Sequence, residues 1–499
     1  MNQPRVIIAG TQSGVGKTSI SLALMKAFTA AGLKVQAFKV GPDYIDPSYH
    51  SVATGSPSYN LDSWLLKKET IEWLFQVKSK PADISIIEGV MGLYDGFESK
   101  KDNGSTAQIA KMLSAPVILV VNAQSIARSI AAMVKGYQIF DPEIRIEGVI
   151  LNKVGSKRHA DLLKESIEHY TGIPVVGALL RDKKIQIPER HLGLATAAEN
   201  KGLKECLDSL ANVDGLNLEK ILNIAKNTST LIPCTEPSIE ETTVKTSDES
   251  GSYGKVRIGI AKDRAFSFYY PSNLDLLKEL QVELVPFSPL EDPELPKNLS
   301  ALYFGGGFPE IYARELELNS ILKNQILRCV QEEMPIYAEC GGLMYLSEAI
   351  ETLEGTSFAM VGAVPGKIKM TDRLQNFGYK EGRMRGDTLL GAQGSQVRGH
   401  EFHYSQRLMD GNLTQNIPYE LEDRKSGQQQ LEGFSKGSLL ASYLHLNFLT
   451  NPKWAEAFVQ TADLYRQNLN GTIKRKIYNA QNERDRKHTL CYIRSGGND

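Results

Sequence analysis

Along the first 227 residues, short apolar runs bounded by glycine, proline and polar residues alternate with longer stretches whose apolar positions recur at helical spacing. The runs are Arg5-Val6-Ile7-Ile8-Ala9, Val35–Val40, Ile84–Ile87, Val117–Val121, Val149–Leu151 and Val175–Leu179. Their continuous rather than alternating apolarity, and their β-branched content, predict strands covered on both faces. The stretch Ile20–Ala31, stopping at Gly32, predicts one of the covering helices. Strands and helices in alternation mean a parallel sheet with helices on both sides.

From about residue 228 to 255 this pattern stops, in a polar stretch with Pro233, Pro237 and Ser-Asp-Glu-Ser-Gly-Ser. That is linker composition. A second α/β series follows at Val256–Ala261, Val282–Val285, Ala301–Phe304 and Pro335–Ala338. The chain thus divides into a domain over 1–227, a linker over 228–255, a second domain over 256–455, and a C-terminal helix with a polar, basic tail over 456–499. The tail is expected to be poorly ordered or peripheral. Two domains also suit 499 residues, because a single core stops growing well below that length.

The first strand runs into Gly10-Thr11-Gln12-Ser13-Gly14-Val15-Gly16-Lys17-Thr18-Ser19. Strand, glycine-rich turn, Lys-Thr and helix together read as a triphosphate cradle. Glycines let backbone N–H groups converge on phosphate oxygens, and the helix N-terminus adds positive potential. Thr11, Ser13, Gly14, Val15, Gly16, Lys17, Thr18 and Ser19 are therefore assigned to ATP, with Lys17 on the outer phosphates and the Thr18 hydroxyl on Mg²⁺. Five residues separate Gly10 from Gly16, where the usual loop has four.

Three further strand ends carry chemistry, at the edge where open α/β sheets bind ligands. Phe38-Lys39-Val40-Gly41-Pro42-Asp43-Tyr44-Ile45-Asp46-Pro47 supplies Lys39 for a phosphoryl group in transfer, and Asp43 or Asp46 for the metal. Tyr44, Asp43 and Asp95 are candidates for the acceptor or for phosphoryl transfer. Glu88, ending Ile84–Ile87 and followed by Gly89, occupies the position that holds Mg²⁺ or its water shell in phosphate-loop enzymes. Asn152, in Leu151-Asn152-Lys153, is assigned to the base of the nucleotide, with a plain β-to-α turn as the competing reading.

In the second domain, Pro335-Ile336-Tyr337-Ala338-Glu339-Cys340-Gly341-Gly342 reads as a strand, a sharp elbow at a cysteine, and a helix. Such an elbow exposes the sulfur, and the helix N-terminus favours its thiolate, so Cys340 is the candidate nucleophile. His445 is its favoured base, with His400 and His403 as competitors. Oxyanion donors are available from Gly306, Gly307 and Gly341. His400 and His403 lack a third ligand spaced as a metal site requires.

Composition removes other classes. The net charge is −1 with a pI of about 6.7, which gives no basic field for nucleic acid. No apolar run is long enough for a membrane span, and the chain enters its first strand without a secretory leader, so a cytoplasmic protein is expected. Five scattered cysteines without C-x-x-C spacing suggest neither a disulfide framework nor zinc.

The phosphate loop, the Lys39–Pro47 segment, Asn60-Leu61-Asp62, Glu88–Gly96, Arg190-His191-Leu192-Gly193-Leu194, Gly305–Glu310, the Cys340 elbow, Gly399–Tyr404 and the His445 segment together resemble the glutamine-dependent amidases of corrinoid synthesis. Within these, the set is most similar to the branch that amidates the a and c carboxylates of cobyrinic acid. It covers about residues 1–455. The resemblance implies a P-loop, dethiobiotin synthetase-like parallel-sheet domain followed by a class I, triad-type glutamine amidotransferase α/β domain. It further implies MgATP-dependent activation of a carboxylate as an acyl phosphate, with ammonia from glutamine displacing phosphate in cobalamin biosynthesis. Its substrates would be cobyrinic acid, glutamine and ATP, and a homodimer is the candidate assembly.

Two other readings stand beside it. The same chemistry could act on hydrogenobyrinic acid or nickel-sirohydrochlorin, or the chain could be a partition-type switch ATPase with a degenerate amidotransferase-like module. One departure from the triad pattern is plain: the position two after the histidine, normally glutamate, is Asn447.

Overall fold

The computed structural model describes residues 3–181, 189–190, 193–194, 207–208, 210, 215–234, 255–409 and 416–469. By Cα proximity the chain forms two compact units. One is Met1–Glu241 with the short segments Phe268–Leu274 and Leu449–Asn451, and the other is Thr242–Ser267, Asp275–Phe448 and Pro452–Asp499.

The first unit is built on a seven-stranded sheet in the order Tyr59–Leu61, Val35–Val40, Ile84–Glu88, Arg5–Gly10, Val117–Asn122, Ile146–Val154, Val175–Leu180. Every pairing is parallel. All residues of Arg5–Gly10 and Val35–Val40 are buried, as apolar strands between two helical layers must be. The helix Lys17–Ala30 buries Ile20, Leu24 and Phe28 against that sheet, and Gly10, Lys39 and Glu88 fall at the C-terminal ends of neighbouring central strands. The three-residue strand Tyr59–Leu61 was not expected, being too short to carry a period.

The second unit has a six-stranded sheet in the order Glu283–Phe287, Arg257–Ala261, Ala301–Phe304, Ile336–Glu339, Leu439–Ser442, Phe434–Lys436. Its pairings are parallel except for the antiparallel edge strand Phe434–Lys436. Two further four-stranded sheets in this unit were not expected from the apolar pattern. Ser347–Glu351, Ser357–Ala359, Val364–Met370 and Ser405–Leu408 form a mixed one, while Asn376–Met384, Gln396–His403, Tyr419–Asp423 and Gln429–Glu432 form an antiparallel one. Val364–Met370 alternates buried and open positions and Asn376–Met384 is mostly open, so these strands lack the continuous apolar runs of the central sheets.

Residues 453–469 are helical. The rest of the tail, most of the linker, and His191 and Leu192 of the Arg190–Leu194 motif lie outside the described residues, while Glu189–Arg190 and Gly193–Leu194 form a two-residue antiparallel pair. Among the described residues no helix is long and apolar enough to cross a membrane.

Candidate active sites

The phosphate loop leaves the central strand at Gly10 and returns as the helix at Lys17. Gly14 and Gly16 have φ of 74° and 98°, backbone that only glycine adopts without strain. A Cβ on Gly16 would lie 2.2 Å from Asn152 Nδ2. Asn152 Nδ2 donates to the Val15 carbonyl at 2.8 Å, and its Oδ1 accepts from the Lys153 N–H at 2.9 Å. Asn152 thus fastens the loop from a strand end two positions along the sheet. Thr11 N–H donates to Val120 O, and the Tyr137 hydroxyl donates to Thr11 O, which ties down the other side. Val15 is buried, Ser13 and Gly14 are exposed, and Thr18 and Ser19 are half-buried at the helix start.

Lys17 Nζ donates to the carbonyls of Gln12, at 3.2 Å, and Met91, so its ammonium is held at the mouth of the loop. Burial, with Lys39 adding to it, lowers the Lys17 pKa.

Beside the loop lies a buried charge cluster. Lys39 Nζ is 2.6 Å from Asp46 Oδ2, 3.0 Å from Glu88 Oε1 and 3.9 Å from Asp43 Oδ2. Thr18 Oγ1 donates to Glu88 Oε1 at 2.6 Å and lies 3.5 Å from Asp46 Oδ2. Burial opposes ionisation of Glu88, but Lys39, His50 and Thr18 outweigh it and hold the carboxyl well below the usual range. Asp46 goes the other way, raised by burial and by Asp43 and Glu88, because one ammonium faces several carboxylates. Excess acid beside a threonine hydroxyl is a hard-oxygen donor set, which fits Mg²⁺. Among the described residues no group of three or more His, Cys, Asp or Glu forms a cage of its own.

Sequence reasoning missed His50. It is fully buried in the helix Ile45–Thr54, with Nε2 2.7 Å from Glu88 Oε2 and Nδ1 3.1 Å from Ser58 Oγ, so it braces Glu88 from behind. Asp43 Oδ1 accepts from the N–H groups of Ile45 and Asp46 and so caps that helix, with Tyr44 half-buried between them. Asp95 Oδ2 accepts from Gly92 N–H at 2.9 Å, closing the loop after Glu88.

In the second unit, Cys340 stands between the strand Ile336–Glu339 and the helix Gly341–Leu346, with φ 45° and ψ −101°. A non-glycine residue in this region is strained. The elbow is held by Cys340 N–H donating to Ser442 O at 2.7 Å. It also needs its small neighbours, since a Cβ on Gly342 would meet Phe304 O at 2.6 Å and one on Gly341 would meet Gly307 N at 2.9 Å. That proximity brings the Gly307 and Gly341 backbones together beside Cys340, with Gly306 next in chain. Gly307 itself has φ 155° and packs on Ala265 O, 2.0 Å from where its Cβ would be.

The thiol differs from the sequence expectation. Burial, then Glu310, pushes the Cys340 pKa up rather than down, because the elbow is only 6% exposed and its helix has six residues. Thiolate formation here requires a base that takes the proton. Cys340 Sγ lies 3.9 Å from Phe402 O, in the strand that also carries His400 and His403. His400 and His445 exchange backbone hydrogen bonds, at 3.2 and 2.9 Å, and their rings stack at 5.0 Å. Burial and the neighbouring His445 push His400 well down; burial brings His403 down to about 4. Glu339 Oε2 is 3.7 Å from His445 Nδ1, a neighbour that sequence reasoning did not find.

Two family models match in chain order. The "CobQ/CobB/MinD/ParA nucleotide binding domain" covers residues 6–194, and the "CobB/CobQ-like glutamine amidotransferase domain" covers 257–453. These agree with the fold class expected from the sequence. Curated relatives named cobyrinate a,c-diamide synthase match over nearly the whole chain. The protein of Dehalococcoides mccartyi (strain CBDB1) is 45% identical over 92% of this chain and 98% of its own. That of Syntrophotalea carbinolica is 44% identical over 92% and 98%, and that of Listeria innocua 44% over 90% and 97%.

Proposed function

Because the chain belongs to the cobyrinate a,c-diamide synthase family, glutamine-hydrolysing ligases of cobalamin biosynthesis, we propose that it converts the a and c carboxylates of cobyrinic acid to carboxamides at the expense of ATP and glutamine. The synthetase half is residues 1–227 and the glutaminase half residues 256–455. The reading rests on one observation above all: a single chain carries both the Lys17–Thr18–Lys39–Glu88 cluster beside a glycine loop and a strained cysteine elbow.

In the synthetase half, Thr11, Ser13 to Gly16 and Ser19 enclose the triphosphate, while Lys17 neutralises its outer oxygens. Asn152 keeps the loop closed from beneath. Thr18, Glu88 and Asp46 are the residues that would hold Mg²⁺, which would supply positive charge against the phosphates. A substrate carboxylate oxygen attacks the γ-phosphorus and ADP leaves, with Lys39 compensating charge on the phosphoryl group in transfer. Asp43, Tyr44 and Asp95 line the acceptor side. The resulting acyl phosphate is an electrophile that the free carboxylate is not. Ammonia attacks its carbonyl carbon, and inorganic phosphate departs.

In the glutaminase half, His445 takes the Cys340 proton as the sulfur attacks the glutamine amide carbon. The oxyanion is met by N–H groups from Gly306, Gly307 and Gly341. The amide nitrogen leaves as ammonia with the proton from His445, and water hydrolyses the thioester to glutamate. Burial of the thiol makes this base indispensable, and it keeps the sulfur protonated until substrate arrives.

The test separates the two halves. Cys340→Ser is expected to abolish amidation supported by glutamine while leaving that supported by ammonium salts, and Lys17→Ala to abolish both. Loss of ammonia-supported amidation in Cys340→Ser would contradict the division of labour.

A further inference from the structure

We propose that Glu339, the residue immediately before the nucleophile, is the positioning carboxylate of His445. The inference rests on the reading that Cys340 and His445 carry out glutamine hydrolysis. A base of this kind works only if its outward nitrogen is unprotonated, which requires a partner that holds the proton on the other nitrogen. The usual source, two residues after the histidine, is Asn447, whose side chain carries no negative charge.

Glu339 is fully buried, and a buried carboxylate persists only among donors. Its Oε1 accepts from the Tyr337 hydroxyl at 2.6 Å and from Leu446 N–H at 3.1 Å. Its Oε2 accepts from the Tyr303 hydroxyl at 3.3 Å and faces His445 Nδ1 at 3.7 Å. The strand pair explains how the two meet. Glu339 is in register with Ser442, and Cys340 N–H bonds to Ser442 O, so the turn that carries the thiol and the segment that leads to His445 leave the sheet together. Alternation along Ile336–Glu339 sets Tyr337 and Glu339 on one face. Tyr303, in register with Tyr337 on the neighbouring strand, joins them there. The two tyrosines and the Leu446 amide fix the carboxylate independently of the histidine. Glu339 therefore touches no reacting atom and acts through His445.

Glu339→Gln keeps the shape and removes the charge. Its kcat for glutamine hydrolysis is expected to fall by about 100-fold or more, as when a triad carboxylate becomes an amide, with KM for glutamine little changed. Since a carboxylate stabilises the imidazolium, its loss is expected to move the acidic limb of the glutaminase pH profile to lower pH. Amidation with ammonium salts should stay at the wild-type rate, which reports an intact fold. Wild-type kcat and an unmoved acidic limb in Glu339→Gln would overturn the proposal. If the variant loses ammonia-supported amidation as well, the question passes to the wild-type protein: in ¹⁵N-histidine spectra assigned with His445→Asn, a neutral His445 ring protonated on Nδ1 supports the proposal and one protonated on Nε2 overturns it. Glutamine-supported amidation in Cys340→Ser would instead refute the underlying reading.

Discussion

Lys39 is the most exacting test of the charge cluster. The substitution Lys39→Met keeps the length of a side chain that is only 4% exposed and removes its charge. The ammonium is 2.6 Å from Asp46 and 3.0 Å from Glu88. At an effective dielectric of about 20, each contact is worth roughly 6 kcal/mol of gross attraction. Relief of ammonium burial and proton uptake by the stranded carboxylates offset much of that, and breaking a buried pair from one side costs about 3–5 kcal/mol net. For a domain of about 200 residues this lowers the unfolding midpoint of the synthetase half by about 6–20 °C at pH 8.

The pH dependence has a defined sign. In the wild type Glu88 is held below its usual range, so its contribution is complete above the ordinary carboxylate range and lost only as pH falls through the depressed value. In Lys39→Met the buried carboxylates lack their cation and are raised, so the folded variant takes up protons and gains stability on acidification. The gap to wild type should therefore be widest at pH 8 and narrow towards pH 5, read by calorimetry of both proteins in matched buffers. Amidation with either nitrogen source should be abolished. A variant that melts with wild type at pH 8, or that still amidates with ammonia, would refute the reasoning.

Other consequences follow from single contacts. Gly342→Ala drives a Cβ to within 2.6 Å of Phe304 O, and should cost about 1–3 kcal/mol of stability while lowering glutaminase kcat, read by denaturation and glutamate release. Asn152→Ala frees the Val15 carbonyl, and the loss of one hydrogen bond of about 1 kcal/mol should raise KM for ATP about 5-fold, with glutaminase activity unaffected. Glu432 is pushed up to about 8 by burial and then by Glu401, so between the ordinary carboxylate range and pH 8 the folded protein holds a proton that the unfolded chain releases. Its burial thus costs more stability as pH rises through that window, and Glu432→Gln should raise the melting temperature at pH 8.5 relative to its effect at pH 5.

What was legible in the sequence was what local backbone demands. Gly14, Gly16 and the Cys340-Gly341-Gly342 run encode loop shapes that few residues adopt, and the central strands of both sheets announce themselves by unbroken apolarity. Glu88 could be found because it ends such a strand. His50 and Glu339 could not, for a single polar residue inside a buried helix or strand has no period to reveal which side chain it meets across the fold. The same limit applies to Asn152: its place at a strand end was readable, but its bond to Val15 joins segments far apart in the chain. The antiparallel strands between Asn376 and Glu432 went unseen for a different reason, since Asn376–Met384 buries only Lys380 and Met384 and Gln429–Glu432 only Glu432, so neither carries an apolar run to separate it from loop.

The central claim is a two-centre amide ligase acting on cobyrinic acid, and the most direct measurement is mass spectrometry of the macrocycle after incubation with MgATP and glutamine labelled with ¹⁵N at its amide. Two successive exchanges of carboxyl for ¹⁵N-carboxamide, absent in Lys17→Ala, are the predicted result. An unaltered macrocycle in the presence of active glutamine hydrolysis would contradict the assignment of cobyrinic acid and direct the search to hydrogenobyrinic acid or nickel-sirohydrochlorin.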